Sequence, residues 1–356
     1  MLYCPRPQIE VLTCAKAPAV GRSEGPQYCQ YGGPSDRSNP GALAQSKPQF
    51  MAAGSIKFID LFCGIGGFRI AAEEVCKENN ILSTCVFSSD IDSQAQDTYE
   101  ANFGERPVGD ITKIHESEIP DHDILFAGFP CQAFSICGNM KGFADTRGVL
   151  FFHIARILKE KKPKAFVLEN VKMLQRHDQG KTLKQILHIL QSMGYHVWFR
   201  VLNALDFGLP QKRERIFIVG CLEDIQYEFP IGKIKMKALS EILEEHVDSS
   251  YYASKDIREK RRIALKDKDL KAPTTIWHEN KSGDINAYPY SCAMRAGASH
   301  NYLLVNGERR LTEREMLRLQ GFPDWFKIIG AYTTVKKQVG NSLPVPCAKA
   351  VFEKLI

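Results

Sequence analysis

"SIKFIDLFCGIGGFRIAAEEVCKEN", residues 55–79, changes its hydrophobic period once, at a glycine-rich turn. Residues 55–62 form a short apolar run suited to a strand, and "FRIAAEEVCKEN", residues 68–79, sets its apolar side chains on one helical face. Between them "DLFCGIGGF", residues 60–68, supplies Gly64, Gly66 and Gly67. Glycine takes positive φ without a Cβ penalty and lets other atoms approach the backbone closely. The N-terminus of the following helix leaves N–H groups free for a ligand. A strand, a glycine turn and a helix in this order open a nucleotide-binding α/β unit.

The alternation continues outward. "TCVFSSD" (84–90), "HDILFAG" (122–128), "PKAFVLENV" (163–171), "YHVWFRVLNA" (195–204) and "RIFIVGCL" (215–222) read as strands. "AQDTYEANF" (95–103), "GVLFFHIARILKEKK" (148–162) and "KTLKQILHILQSMG" (181–194) read as the helices between them. This predicts an α/β fold with a mostly parallel sheet, whose ligands lie beyond the carboxyl ends of the strands. After about residue 225 the rhythm breaks. "YYASKDIREKRRIALKDKDLK" (251–271) is charged with a basic excess and reads as a solvated helix face, and its lysines and arginines are candidates for phosphate contacts. "QVGNSLPVPCAKAVFEKLI" (338–356) returns to an apolar-faced helix. Residues 1–50, rich in Gly, Pro, Ser and Gln and without periodicity, are expected to be disordered, with Met51 as the true start.

Composition narrows the class only modestly. The chain has 356 residues, a net charge of +6 and eleven cysteines. The charge tolerates a nucleic-acid partner without requiring one. No apolar run reaches the roughly 18 residues of a membrane span. The cysteines form no CxxC pair, so they read as reduced and intracellular, and no metal site is expected.

The candidate chemistry sits at the strand ends. The second strand ends at Asp90, where dinucleotide folds place an acid that accepts from ribose hydroxyls, and the ring of Phe62 is placed to stack on an adenine. These features alone fit a nicotinamide enzyme as well as a methyltransferase. "GFPCQAFS", residues 128–135, puts Cys131 in a bend just past a strand, after Pro130, which holds the backbone extended. A thiol so presented becomes a nucleophile when cations or N–H groups stabilise its thiolate. Glu169 ends the next strand, and Arg213 and Arg215 precede another. A buried packing cysteine and surface ion pairs are the bland readings for each residue alone. Their gathering at successive strand ends argues for an active site.

With "DLFCGIGGF", "GFPCQAFS", "ENV" (169–171), "QKRERIF" (211–217), "RLTEREMLRLQGFP" (310–323) and "QVGNS" (338–342) in this order, the chain resembles the bacterial DNA (cytosine-5)-methyltransferases of the restriction–modification type. The resemblance covers most of residues 55–224 and resumes at 302–350. It implies a Rossmann-like, mostly parallel methyltransferase sheet dependent on S-adenosylmethionine, with a small target-recognition domain inserted. The implied division is a disordered leader at 1–54, a catalytic and cofactor domain at 55–225, a recognition domain at 226–310, a hinge at 311–335, and a return to the catalytic domain at 336–356. Cys131 would attack cytosine C6, Glu169 would bond N3 and the exocyclic amine, and Arg215 would hold the O2 side with Arg213 supporting the thiol loop. Gln132 and Ser135 would belong to a loop closing over DNA. The family pattern assigns the cofactor to Phe62, Gly64, Gly66, Gly67, Asp90, Ile91, Asp110, Ile111, Pro130, Leu150, Asn341 and Ser342. DNA contacts would come from Ser135, Cys137, Gln211, Tyr288 and Arg295.

Three departures stand out: Cys137 replaces a serine of the closing loop, Asp90–Ile91 replaces a Glu–Trp pair, and residues 226–301 align poorly with the family. The implied function is methyl transfer to C5 of a flipped cytosine in a short duplex target. The implied setting is a monomer in the bacterial cytoplasm, at the nucleoid, with a cognate restriction endonuclease acting independently. The rival readings are a tRNA cytosine-5 methyltransferase, an idle DNA-binding protein and a nicotinamide oxidoreductase.

Overall fold

The computed structural model describes residues 54–130, 150–266, 270 and 272–356. The expected leader falls outside them save for Gly54. Strands β1 (Ser55–Leu61), β2 (Leu82–Ser89), β3 (Ile124–Gly128), β4 (Ala165–Val171) and β5 (His196–Asn203) alternate with helices α1 (Gly67–Glu78), α2 (Ser93–Phe103), α3 (Leu150–Lys161) and α4 (Lys181–Ser192). The two-residue β6 (Gln211–Lys212) and then β7 (Glu214–Cys221) follow. The main sheet has the order β2-β1-β3-β4-β7-β5.

Strands β1 to β4 pair in parallel, whereas β7 runs antiparallel to both β4 and β5. The 204–213 connection explains this reversal. A parallel crossover needs about a dozen residues or more, usually a helix, and this link is too short for one. The consequence for chemistry is direct. The start of β7 lies beside the carboxyl end of β4, with Arg215 opposite Val171.

Side chains alternate across the sheet, so each strand feeds two cores. Phe58 and Phe126 face α1, and Phe126 meets Phe352 of α8 (Val345–Glu353) edge-on at 5.2 Å. Ile59, Leu125 and Leu168 face α3 and α4. Because helices cover both faces, β3 and β4 read as nearly unbroken apolar runs. The closing segment forms two helices rather than one, α7 (Tyr332–Asn341) and α8, split at Pro344. Proline has no N–H to continue a helix and is tolerated at a helix start.

The middle of the chain adds α5 (Lys255–Leu265), β8 (Ile276–Glu279), β9 (Ile285–Tyr288), β10 (Ser291–Cys292), β11 (Leu303–Val305) and α6 (Glu313–Gln320). Strands β11, β8 and β9 form an antiparallel sheet, and Leu265, Trp277 and Ile285 make a small core beneath α5. The basic run forms a largely solvated helix face, within which Arg261 and Leu265 of α5 turn inward. Arg261 is buried and donates to the Trp277 carbonyl and to Glu279, while Arg258 and Arg262 both pair with Glu308 at 3.0 and 2.6 Å. Folding has matched these cations with internal acids. Arg261 therefore supports the small sheet and is not a phosphate ligand.

Asp60, the penultimate residue of β1, is fully buried on the α1 side. Burial pushes its carboxyl well above the usual carboxylate range, and Arg69 opposes only part of that shift. A folded-state value raised above the unfolded value of about 3.9 means stability is lost as pH rises from there toward the folded value. Asp60→Asn removes this linkage. The gain in melting temperature of the variant over the parent should therefore widen from pH 5 to pH 8. A gap that stays constant across that range in thermal unfolding would refute the assignment.

Candidate active site

The carboxyl ends of β1 to β4 open onto one cavity of about 730 Å³. Its entrance wall begins at Phe62, whose φ of 55° is a left-handed conformation that costs a non-glycine residue of order 1–3 kcal/mol. That turn sets Phe62 in the cavity wall. The Gly64 N–H donates to Asp90 Oδ2 at 2.8 Å, and the Asp92 N–H donates to Asp90 Oδ1 at 2.9 Å. Asp90 thus ties the glycine turn to the end of β2 while keeping lone pairs for a ligand. Burial raises its pKa, and the two backbone donors hold the rise in check. Asp110, by contrast, is held below the usual carboxylate range by the hydroxyl and N–H of Thr112.

The other expected cofactor residues divide into two groups. Gly64, Ile91, Asp110, Ile111, Pro130, Leu150 and Asn341 line the cavity with Phe62 and Asp90. Ile91 is 74% exposed at its lip, where a larger ring would cover more surface. Gly66, Gly67 and Ser342 stand behind the wall. Gly66 has φ +86°, and a Cβ there would sit 2.3 Å from the Phe103 ring. A Cβ on Gly67 would press on Leu343 and the Ser342 hydroxyl. These residues shape the turn without lining the cavity. Sequence reasoning passed over Asp92 and Gln338, which also line it. Asp92 caps α2 and pairs with Lys337 of α7 at 2.6 Å, so α7 is drawn across the cavity. An aspartate just before a helical run was the available signal.

Glu169 lies at the opposite side of the same cavity, next to Gly128 in the β3–β4 register. The missing side chain at Gly128 leaves the carboxylate open. Arg215 Nε meets Glu169 Oε1 at 2.8 Å. Burial raises the Glu169 pKa, and Arg215 and then Arg213 pull against it. Asn170, unremarked in the sequence, donates from Nδ2 to the Phe129 carbonyl at 2.9 Å. It pins the chain one residue before Pro130. Cys131, Gln132, Ser135 and Cys137 lie outside the described residues.

Arg213 does not reach the cavity. It is fully buried, and its guanidinium donates to the carbonyls of Met294, Gly340 and Ser342. The expectation that Gln211 contacts DNA is corrected. Gln211 is 0% exposed, with Nε2 donating to the Leu319 carbonyl and Oε1 accepting from the Met294 N–H. Its place in the short β6 strand turns the side chain inward. Tyr288 stacks on Tyr290 with ring centroids 5.2 Å apart. Arg295 is exposed, with its guanidinium over the Tyr302 ring at 5.0 Å, and borders a second cleft of about 610 Å³.

Comparison with known proteins agrees with this geometry. The family model for C-5 cytosine-specific DNA methylases matches residues 56–356. The type II methyltransferase M.NgoBI of Neisseria gonorrhoeae is 57% identical over 298 residues, which span 83% of this chain and 91% of that protein. M.HaeII of Haemophilus aegyptius is 55% identical over 302 residues, 84% of this chain and 92% of that protein. In fold, the chain is similar to the crystal structure of the Schizosaccharomyces pombe Dnmt2 methyltransferase, with a TM-score of 0.65 at 23% identity, covering 84% of this chain and 98% of that one.

The close approach at Gly66 is open to a stability test. Gly66→Ala introduces both a strained φ and a clash with Phe103, for an expected loss of about 3 kcal/mol. Gly104 has φ +75° with nothing within 4 Å of a Cβ. Gly104→Ala should therefore lose only the conformational part, about 1 kcal/mol. Equal losses in denaturant titrations would show that the Phe103 contact contributes nothing.

Proposed function

The chain belongs to the C-5 cytosine-specific DNA methylase family and methylates cytosine in DNA at C5, and from that premise we propose that it uses S-adenosylmethionine and acts on a flipped cytosine within a short duplex sequence. One observation carries this reading. A single cavity joins an acidic wall, with Asp90, Asp92 and Asp110, to the Glu169–Arg215 pair. Carboxylates in the wall favour a cationic sulfonium ligand over a dinucleotide diphosphate, and Phe62 offers a ring face for an adenine. Phe62, Asp90, Asp110 and Asn341 would hold the cofactor. Bound S-adenosylmethionine supplies the electrophilic sulfonium methyl that an activated C5 accepts.

The protein's own groups activate that carbon. C5 of cytosine is a weak nucleophile while the ring is aromatic. The Cys131 thiolate forms a bond to C6, and the C5–C6 π pair becomes enamine-like density at C5. Glu169 in its acid form donates at N3 as that charge develops, which is the use of a buried carboxyl with a raised pKa. Arg215 holds the O2 side and orients Glu169. Once C5 has accepted the methyl group, its proton passes to solvent water, the thiolate leaves C6 and the N3 proton returns to Glu169, which restores the ring. Flipping the base costs a few kcal/mol in lost stacking. Phosphate contacts on the protein surface offset it.

Residues 55–225 and 336–356 would carry the reaction, joined through a hinge at 311–335, and residues 226–310 would read the sequence. The protein would act as a monomer in the bacterial cytoplasm, on nucleoid DNA, with any cognate endonuclease working separately. Among the described residues no helix is long and apolar enough to cross a membrane.

Three measurements test the proposal. Cys131→Ser should abolish methyl incorporation into duplex DNA and leave S-adenosylmethionine binding near the parent value in calorimetry. Duplex DNA carrying 5-fluorocytosine at a methylated site should form a stable covalent complex, because fluorine cannot leave as a proton does. Turnover by the serine variant, or methyl incorporation into tRNA in preference to duplex DNA, would reject the reading. Finally, the parent's turnover should fall as pH rises through the elevated Glu169 pKa, since only the acid form donates at N3. Glu169→Gln cannot lose that proton. Its residual turnover, lower by about 10²–10⁴-fold, should lack this alkaline limb.

A further inference from the structure

The segment from Met294 to Ala298 is a loop, exposed at Arg295 and Gly297, whose backbone is hydrogen-bonded at both ends. The Met294 N–H donates to Gln211 Oε1 at 3.3 Å, and the Met294 carbonyl accepts from Arg213 at 3.0 Å. The Arg295 N–H donates to Tyr302 Oη at 2.9 Å. The turn closes on itself through the Ala298 N–H and the Arg295 carbonyl at 3.3 Å. At its far end Lys336 Nζ donates to the Ala298 carbonyl. Beneath it, a Cβ on Gly340 would lie 2.5 Å from the Ala296 nitrogen. The anchors come from β6, the strand region before β7, the residue preceding β11, and α7.

Lys336 is the unexpected member. It is 6% exposed and makes no ion pair among the described residues. Burying an ammonium without a carboxylate is unfavourable, and burial together with nearby Arg295 lowers its pKa. Its nearby groups are the Ala298 carbonyl and the Tyr302 ring, 5.9 Å from Nζ to the centroid. The same ring carries the Arg295 guanidinium. Two cations and one backbone N–H therefore converge on Tyr302, and the turn is held at both ends while the Arg295 side chain stays exposed.

Resting on the reading of residues 226–310 as the sequence-reading segment, we propose that the Arg295–Ala298 turn is a preformed finger that presents Arg295 to a guanine edge, and that Gln211, Tyr302 and Lys336 are positioning residues for target specificity. An arginine reads guanine through two parallel hydrogen bonds to O6 and N7, in the plane of the base. That fork discriminates only when its root is held to within about half an ångström. The Tyr302 ring, 5.0 Å from the guanidinium carbon, restricts where the side chain can go, and the four backbone anchors fix its root. Arg213 and Gly340 connect the same turn to the wall of the cofactor cavity, so the finger is registered to the reacting base and does not move as an independent flap.

Lys336→Met and Tyr302→Phe test this, with Lys336→Arg as the conservative rescue. Each protein is incubated with S-adenosylmethionine and a random-sequence duplex library, and the products are read by bisulfite sequencing. Methylation at sites differing from the parent target by one guanine should rise about tenfold relative to the target, the size of one impaired bidentate contact. Turnover on the parent target, cofactor affinity in calorimetry and the melting temperature of Tyr302→Phe should stay near the parent values. Lys336→Arg should restore discrimination. Tyr302→Phe removes one oxygen and keeps the ring, so it reports on the anchor even if Lys336→Met unfolds. Unchanged discrimination in both anchor variants, or a uniform loss on all sequences, would overturn the proposal. Arg295→Ala, run alongside, separates the two layers. If it never shifts the methylated sequence, the base-reading role of this segment fails. If it relaxes a guanine position while the anchor variants do not, only the positioning roles fail.

Discussion

The buried guanidinium of Arg213 ties its own segment to two others far away in sequence, Met294 and the stretch from Gly340 to Ser342. A cation removed from water is tolerated only when its donors are matched. Here the two terminal amino groups are matched by the carbonyls of Met294, Gly340 and Ser342, while Nε is left without a hydrogen-bond partner among the described residues. Met294 precedes the Arg295–Ala298 turn, Gly340 lines the cavity at the strand ends, and Ser342 marks the break between α7 and α8. Backbone carbonyls serve this purpose better than side chains would, because they fix the path of the chain itself. Loss of Arg213 would release all three segments together.

The active-site chemistry depends on a reversal of strand direction. In a wholly parallel sheet every strand begins at the far edge from the ligand. Because β7 runs antiparallel to β4, a residue at its start reaches the carboxyl edge and meets Glu169. An arginine there opposes the effect of burial on the glutamate without abolishing it. The same cavity continues to the glycine turn of β1, so the acid–arginine pair and the aspartate wall share one enclosure.

The fold and much of the site were legible in the chain's pattern. Strands and helices from 55 to 222 followed from hydrophobic period, and Phe62, Asp90, Glu169 and Arg215 followed from their places at strand ends. The cofactor residues that proved to be second in line, Gly66, Gly67 and Ser342, are motif members whose role is steric. Their motif does not distinguish touching a ligand from making room for a turn. The basic helix is the solvated face that its charge indicated, but the pairing of its arginines was hidden for a related reason. Sequence displays Arg258, Arg261 and Arg262 as a cluster of cations but hides Glu279 and Glu308, which lie close only after β8 and β11 have formed.

Local sequence alone determined the alternating elements, the glycine turn and the identity of the chemical groups, because each rests on residues within a few positions of one another. Only the tertiary structure decided which polar side chains face a ligand and which face the interior. Gln211, Arg213 and Lys336 are the clearest cases. Nothing beside them in the sequence marks them as buried, since their partners at Leu319, Gly340 and Ala298 come from other elements. A hydrogen bond is worth little to an exposed group and a great deal to a buried one. The distribution of polar residues between site and scaffold is therefore set by long-range packing.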